Sequence, residues 1–194
     1  YAVLVEEQPR VAAIFDPVHN VVYSACLMGP YDKPEQQAVA RAWEISTGHT
    51  VDLVELARRQ KLEELRSAGI AVHLPRNDPT ARAKMIGRLG KIADTFDSVY
   101  MLNAGIPAMV LVAKGGAGIA GFVNPWTNLH DIAPGEVLCR ATRCLVTDWD
   151  GKPIQYHGLV PNQDGNPHTR TSLIVARNKE AHSRLRELLQ PHTC

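Results

Sequence analysis

The stretch His130-Asp131-Ile132-Ala133-Pro134-Gly135 decides how this chain of 194 residues is read. A polar run, Asn124 to His130, reads as a loop and ends there. An apolar-periodic segment, Ile132 to Leu145, begins, and an Asp-Gly turn at Asp150-Gly151 closes the unit. Asp131 therefore stands at the mouth of a predicted helix. Asp is a favoured N-cap there, because its carboxylate accepts from backbone N–H groups that lack an intrahelical partner, and Pro134 suits a first turn. A carboxylate in that place also suits a hard cation such as Mg²⁺, which takes oxygen ligands. Spacing favours the cap and leaves the metal open, since a single Asp does not complete a site.

Working outward towards the N-terminus, Ile119 to Val123 reads as a strand. Before it, Ile106 to Lys114 reads as an apolar helix with Pro107 in its first turn, preceded by a turn at Asn103-Ala104-Gly105. Val99 to Leu102 and Ile70 to Leu74 are short strands flanking a helix over Thr80 to Ile92, which Asp78 or Thr80 can cap. A longer helix is expected over residues 50–67. Thr50 would be its cap, and Val51, Val54, Leu62 and Leu65 would form an apolar stripe. Pro34 can open a helix from Glu35 to Ile45, although residues 29–47 are the least legible. Tyr1 to Val5, Val11 to Phe15 and Val21 to Leu27 form an antiparallel meander. Because Tyr1-Ala2-Val3 already reads as strand, the chain is expected to be cut at its N-terminal side.

Towards the C-terminus, Cys144 to Thr147 and Lys152-Pro153-Ile154 flank the Asp-Gly turn as a hairpin. Gln163 to Arg170 reads as loop, Thr171 to Ala176 as the last strand, and Lys179 to Leu189 as the last helix, with Leu185, Leu188 and Leu189 on one face. The alternation argues a layered α/β domain over residues 1–194, with 1–30 ending an antiparallel sheet and 70–194 forming an α/β part.

Bulk properties exclude several classes. Charged residues make up 21% and the formal net charge is +1, so nothing calls for a nucleic-acid partner. No apolar run approaches the ~20 residues of a membrane span. Of the four cysteines, Cys139 and Cys144 lie at a spacing that suits neither a zinc knuckle nor a disulfide within a helix, and reduced thiols in the cytoplasm are the expectation. Gly115-Gly116-Ala117-Gly118 follows a helix and lacks the Lys-Ser/Thr of a phosphate loop, so it reads as a helix stop. Ser98 and Ser172 have no GxSxG setting. His130 and Asp131 are expected to point apart, and His168 and His182 to be exposed.

The Asp131 motif, continued by Val146-Thr147-Asp148-Trp149-Asp150-Gly151, resembles the C-terminal signature of the inositol monophosphatase family: a Trp-Asp-x-Ala-Ala-Gly helix start, then Glu-Ala-Gly-Gly-x-x-x-Asp-x-x-Gly. Phe15-Asp16-Pro17 with Val22-Tyr23-Ser24-Ala25 resembles the family's Tyr-Asp-Pro … Tyr-x-Ala hairpin. Val110 to Gly116, Gly121-Phe122-Val123 and Ser172 to Asn178 match in order. The resemblance implies an αβαβα sandwich of the inositol monophosphatase/fructose-1,6-bisphosphatase type, N-terminally truncated. It also implies a cytoplasmic Mg²⁺-dependent, lithium-sensitive phosphomonoesterase acting on a small phosphorylated metabolite, with a homodimer as the usual state. Asp131 would be a metal ligand. Asn124 would hold the place of a substrate-contacting Glu, and Ala104 would lie in the Asn103-Ala104-Gly105 stretch at the substrate pocket.

The family's other metal ligands, a Glu and Asp-Pro-x-Asp-Gly-Thr, would lie before Tyr1, so no catalytic residue is identified and this chain alone is expected to be inactive. His130 replaces the signature Trp, and Ala141-Thr142-Arg143-Cys144 replaces Glu-Ala-Gly-Gly. These departures leave an alternative, a non-catalytic relative that binds a partner.

Overall fold

In the computed structural model of the chain, the structure describes residues 1–29, 37–60, 65–115, 118–156 and 170–190. The first sheet is a simple meander of β1 (Ala2–Val5), β2 (Gln8–Asp16), β3 (Val21–Leu27), β4 (Ala38–Glu44) and β5 (Thr50–Asp52), each antiparallel to the next. Its first turn is Glu6-Glu7, with φ of 51° and 59° at two non-glycine residues. Positive φ at both centres gives the twist that a two-residue hairpin needs. Side chains alternate across the sheet. Ala12, Tyr23, Ala25, Leu27 and Ala40 point to the core. The other face carries the cross-strand rows Val3–Val11–Cys26–Val39 and Phe15–Val22–Trp43.

Two sequence expectations fail in this region. The helix expected over Glu35 to Ile45 is strand β4 from Ala38 onward, and residues 35 and 36 lie outside the described residues. Ala, Arg and Glu favour a helix, but β4 pairs with β3 along its whole length, Ala38 opposite Leu27 to Glu44 opposite Val21. Such pairing overrides a weak local preference. The helix expected over 50–67 is shorter. Thr50–Asp52 is strand β5, and Asp52, not Thr50, caps α1 (Leu53–Arg59), its Oδ1 accepting from the Glu55 N–H at 3.0 Å. Leu65–Ser67 is a 3₁₀ turn, and Leu62 lies outside the described residues.

The second sheet is mixed, in the order β7-β6-β8-β10-β9. Strand β6 (Gly69–Val72) lies parallel to both β7 (Ser98–Met101) and β8 (Ile119–Asn128). Strand β10 (Arg170–Ala176) runs antiparallel to β8 and to β9 (Leu145–Thr147). Helices α2 (Pro79–Thr95) and α5 (Lys179–Leu189) cover one face through Met85, Ile92, Leu185 and Leu189. Helices α3 (Gly105–Lys114) and α4 (Leu129–Ala141) cover the other and fill the space between the sheets. Among the described residues the layers thus run β, α, β, α, a layered α/β architecture as expected.

Helix α4 is the centre of this stack. Ile132 to Cys139 are all buried, which is what a helix between two sheets requires. It touches α3 closely at Gly135, where an added Cβ would lie 2.6 Å from Met109 Sδ. Each fully buried Ile, Leu or Phe in these layers contributes roughly 1.5–3 kcal/mol.

The Asp150-Gly151 turn forms, with Gly151 at φ 83° and its N–H donating to Asp148 O at 3.1 Å. The expected hairpin does not. Lys152-Pro153-Ile154 is no strand: the Asp148 N–H donates to Lys152 O at 2.9 Å, but the next residue, Pro153, has no N–H with which to continue a ladder along the outer edge of β9. His182 is buried rather than exposed. Its Nε2 lies 2.8 Å from Thr147 Oγ1, joining α5 to β9. His168 lies outside the described residues.

Candidate functional site

The carboxyl ends of the parallel strands β6, β7 and β8 open into a cavity of about 480 Å³. Ligands of α/β sheets bind beyond the carboxyl ends of their strands, because the loops there converge and helices begin. His73 and Pro75 enter from the end of β6, Asn103 and Gly105 from the end of β7, and Asn124, Trp126, Thr127 and Asn128 from β8. Asp131 and Arg170 complete one wall.

The residues 124–130 are not the expected loop. Strand β8 runs on through Asn128, paired to β10 as Asn124 opposite Leu173, Thr127 opposite Thr171 and Asn128 opposite Arg170. The register shifts between Thr171 and Leu173. This bulge accommodates Pro125, which has no N–H for a regular ladder. Helix α4 begins at Leu129 without an intervening loop, and so Asp131 is its third residue and Asn128 its cap position. Asp131 is therefore not the N-cap, and that expectation is corrected by two factors, the longer strand and the earlier helix start.

The Asn128 side chain makes no capping bond to α4. Its Nδ2 donates to Asp131 Oδ2 at 2.9 Å, and its Oδ1 accepts from Arg170 Nε at 3.3 Å. Arg170 also lies over the Trp126 ring, 5.2 Å from its centroid, a cation–π arrangement that fixes the guanidinium at the cavity wall. The other Asp131 oxygen lies 3.2 Å from His130 Nε2, so these neighbours meet rather than point apart. Both side chains are more than half exposed, which leaves the imidazole room to fold back over the carboxylate.

Three helices start at this cavity. Asp78 caps α2, its Oδ1 accepting from the Ala81 N–H at 2.8 Å. Helices α3 and α4 have no side-chain cap, and their first N–H groups carry the partial positive charge of a helix start. With Arg76 and Arg170 nearby, the cavity can take an anionic group. His73 also lines it. Burial pushes the imidazole pKa down, and Nδ1 is buried without a partner among the described residues.

Of the residues singled out from sequence, Asn124 and Asp131 line this one cavity. Asn124 is buried, and its Oδ1 is engaged by the Trp126 N–H at 3.0 Å. Ala104 is exposed at the cap position of α3, between the lining residues Asn103 and Gly105. Trp126, Asn128 and Arg170 escaped sequence reasoning. Trp126 and Asn128 sat in an apparent loop, and Arg170 reaches the wall through pairing across 42 residues. Gly115 is the left-handed C-cap of α3, φ 66°, as the helix-stop reading expects, while Gly116 and Ala117 lie outside the described residues.

The described residues do not by themselves fit a metal centre. No group of three or more His, Cys, Asp or Glu side chains converges among them, and a hard divalent cation needs several oxygen ligands. No helix among them is long and apolar enough to cross a membrane.

Comparison with known proteins bears on family and fold. The model of the inositol monophosphatase family matches residues 2–193. Inositol monophosphatase II of Staphylococcus aureus superposes with a TM-score of 0.65 at 16% identity, covering 97% of this chain and 58% of that one. The staphylococcal protein has been solved with inositol monophosphate bound and with 2'AMP bound. Mycobacterium tuberculosis SuhB superposes at 0.68 and 15% identity, covering 96% of this chain and 62% of that one. A Pyrococcus horikoshii protein with similarities to inositol-1 monophosphatase gives 0.62 and 19%, covering 98% and 61%. The chain thus spans about three fifths of the length of these structures. No curated protein matches it.

Proposed function

The chain belongs to the inositol monophosphatase family, and from that premise we propose that it supplies the substrate wall and one metal ligand of a Mg²⁺-dependent phosphomonoesterase. The substrate is a small phosphorylated metabolite, an inositol phosphate, sugar phosphate or nucleotide phosphate. One observation carries the reading: Asp131 and Asn124 share a cavity onto which the uncapped starts of α3 and α4 also open. In this arrangement the helix starts and Arg76 bind the ester's anionic group. Asn124 holds the neutral part of the substrate, and Arg170, through Asn128, fixes the direction of the Asp131 carboxylate. Bound Mg²⁺ would neutralise phosphate charge and acidify a water. Asp131 is the residue of this chain that would hold it, and among the described residues no further His, Cys, Asp or Glu side chains converge with it in a group of three or more.

The 194-residue chain is therefore expected to bind Mg²⁺ only weakly in calorimetry. It should turn over inositol monophosphate, sugar phosphates and 2'-AMP barely above background. Appreciable Mg²⁺-dependent turnover that Asp131→Asn leaves intact would remove Asp131 from the site. The same lack of a ligand cluster motivates the second reading, a non-catalytic relative that binds a partner. Substrate binding without turnover, by a chain extended to the length of its structural relatives, would favour it. A cytoplasmic location belongs to the first reading and is supported by the free thiols of Cys26, Cys139 and Cys144. A homodimer belongs to it too, and sedimentation would test it.

A further inference from the structure

Helix α4 ends in a tight hydrogen-bonded turn. The Cys144 N–H donates to Cys139 O at 2.8 Å, and the Arg143 N–H to Arg140 O at 3.0 Å. Arg143 is left-handed, with φ 67°. This is a Schellman arrangement, in which the residue two past the cap folds back over the last turn and its side chain meets the one five positions earlier. Apolar residues usually occupy both places. Here both are cysteines, and the backbone bond holds their α-carbons within about 7 Å, the range a disulfide spans. A spacing that suits no disulfide inside a helix is brought together by the turn that ends it.

The two sulfurs differ in surroundings. Cys139 is fully buried, and its S–H donates to Met109 O on α3 at 3.4 Å. Cys144 lines a second cavity of about 470 Å³, away from the first. Arg143 and Lys179 stand on its lining, which includes no acid. Hydrogen bonding from Cys139 lowers the Cys144 pKa, helped by the Thr142 hydroxyl and the charge of Arg177, while burial raises that of Cys139 well above the usual range. Both thiols are buried, but Cys144 is the one that lines the cavity, so an entering reagent meets it first, while Cys139 lies behind it against α3.

We propose that Cys144 and Cys139 are a reversible thiol–disulfide pair, oxidised by a small anionic disulfide that enters the Arg143–Lys179 cavity. The Cys144 thiolate attacks one sulfur of that disulfide, whose S–S bond breaks and whose other half leaves as a thiolate. Cys139 then attacks the Cys144 sulfur of the mixed disulfide. The second half leaves as a thiolate that takes up the Cys139 proton. Two protein thiols lose two electrons in total, and the small disulfide is reduced to two thiols. Oxidation also removes the Cys139 S–H donor from Met109 O, so the state of the pair is read at the α3–α4 contact.

The test uses the full chain with Cys26 and Cys194 replaced by serine, and oxidised glutathione as the probe. Mass spectrometry after acid quenching should show both thiols lost, a cross-link between the peptides of Cys139 and Cys144, and no retained glutathione. Adding Cys139→Ala should trap one glutathione on Cys144. Adding Cys144→Ala instead should leave Cys139 reacting at least about tenfold more slowly than Cys144 does. Cys139→Ser is a second version of the first variant that nearly preserves volume, and circular dichroism confirms that each is folded. The proposal is overturned if both thiols stay free while Cys26 in the unaltered chain is modified. Equal reactivity of Cys139 and Cys144 in the folded single variants also overturns it.

Discussion

The two sheets have five strands each, but among the described residues only the second is covered on both faces. In β10, Leu173 to Ala176 are buried one after another, a continuous apolar run. In β2, buried or half-buried residues alternate with exposed Val11, Ala13 and Phe15. The difference follows from what packs on each sheet. A sheet between helix layers needs apolar side chains on both sides, whereas a meander packed on one side needs them at every second position. The first sheet still carries Val3, Phe15 and Trp43 on its open face, each between 45% and 57% exposed. The cavity at strand ends described above belongs to the second sheet, where parallel strands bring several chain turns to one edge.

This contrast is open to measurement. The largest effect is expected inside the second sheet. Phe122→Ala removes a fully buried ring between layers and should destabilise the chain by about 3–5 kcal/mol in urea unfolding. Gly121→Ala comes next. The added Cβ would lie 2.5 Å from Val175 O, backbone that a neighbouring strand cannot easily withdraw, and a loss of about 1–3 kcal/mol is expected.

A smaller effect is pH-dependent. Burial, the main cause, lowers the pKa of His182 and of His73, with Arg186 adding to it at His182. Their folded values thus lie below the unfolded value of about 6.5. As pH falls through about 6.5 the unfolded chain takes up protons that the folded chain declines. Stability is therefore full above neutrality and is lost as pH drops towards the folded pKa values. Melting temperature followed from pH 8 to pH 5 should decline, and His182→Gln should flatten the decline.

The smallest effect is expected on the open face, where Phe15→Ser should change stability by no more than about 0.5 kcal/mol. A loss near that of Phe122→Ala would erase the distinction between the sheets.

The same distinction governs what could be read in the sequence. The early meander, α2, α3, β10 and α5 were legible, because alternation, caps and apolar stripes are local signals. Strand β4 was not, since Ala-Val-Ala-Arg-Ala-Trp-Glu becomes a strand only through its partner β3. The extension of β8 over Asn-Pro-Trp-Thr-Asn was hidden for the same reason, with polar residues satisfied by β10. Asp131 and Asn124 could be singled out because a motif surrounds them. Arg170 could not, because its role depends on a pairing that no local pattern announces, and His130 folds back on Asp131 by a rotamer that spacing does not encode.

The direct join between β8 and α4 limits how this pocket can evolve. Asn124, Trp126, Asn128 and Asp131 are mounted on one unbroken rod, strand then helix, with no loop between them. An inserted or deleted residue there would turn every later side chain away from the cavity and unseat the central helix. Diversification of this wall is confined to exchanging one side chain for another at fixed positions. New reach or length must come instead from the loops after β6 and β7.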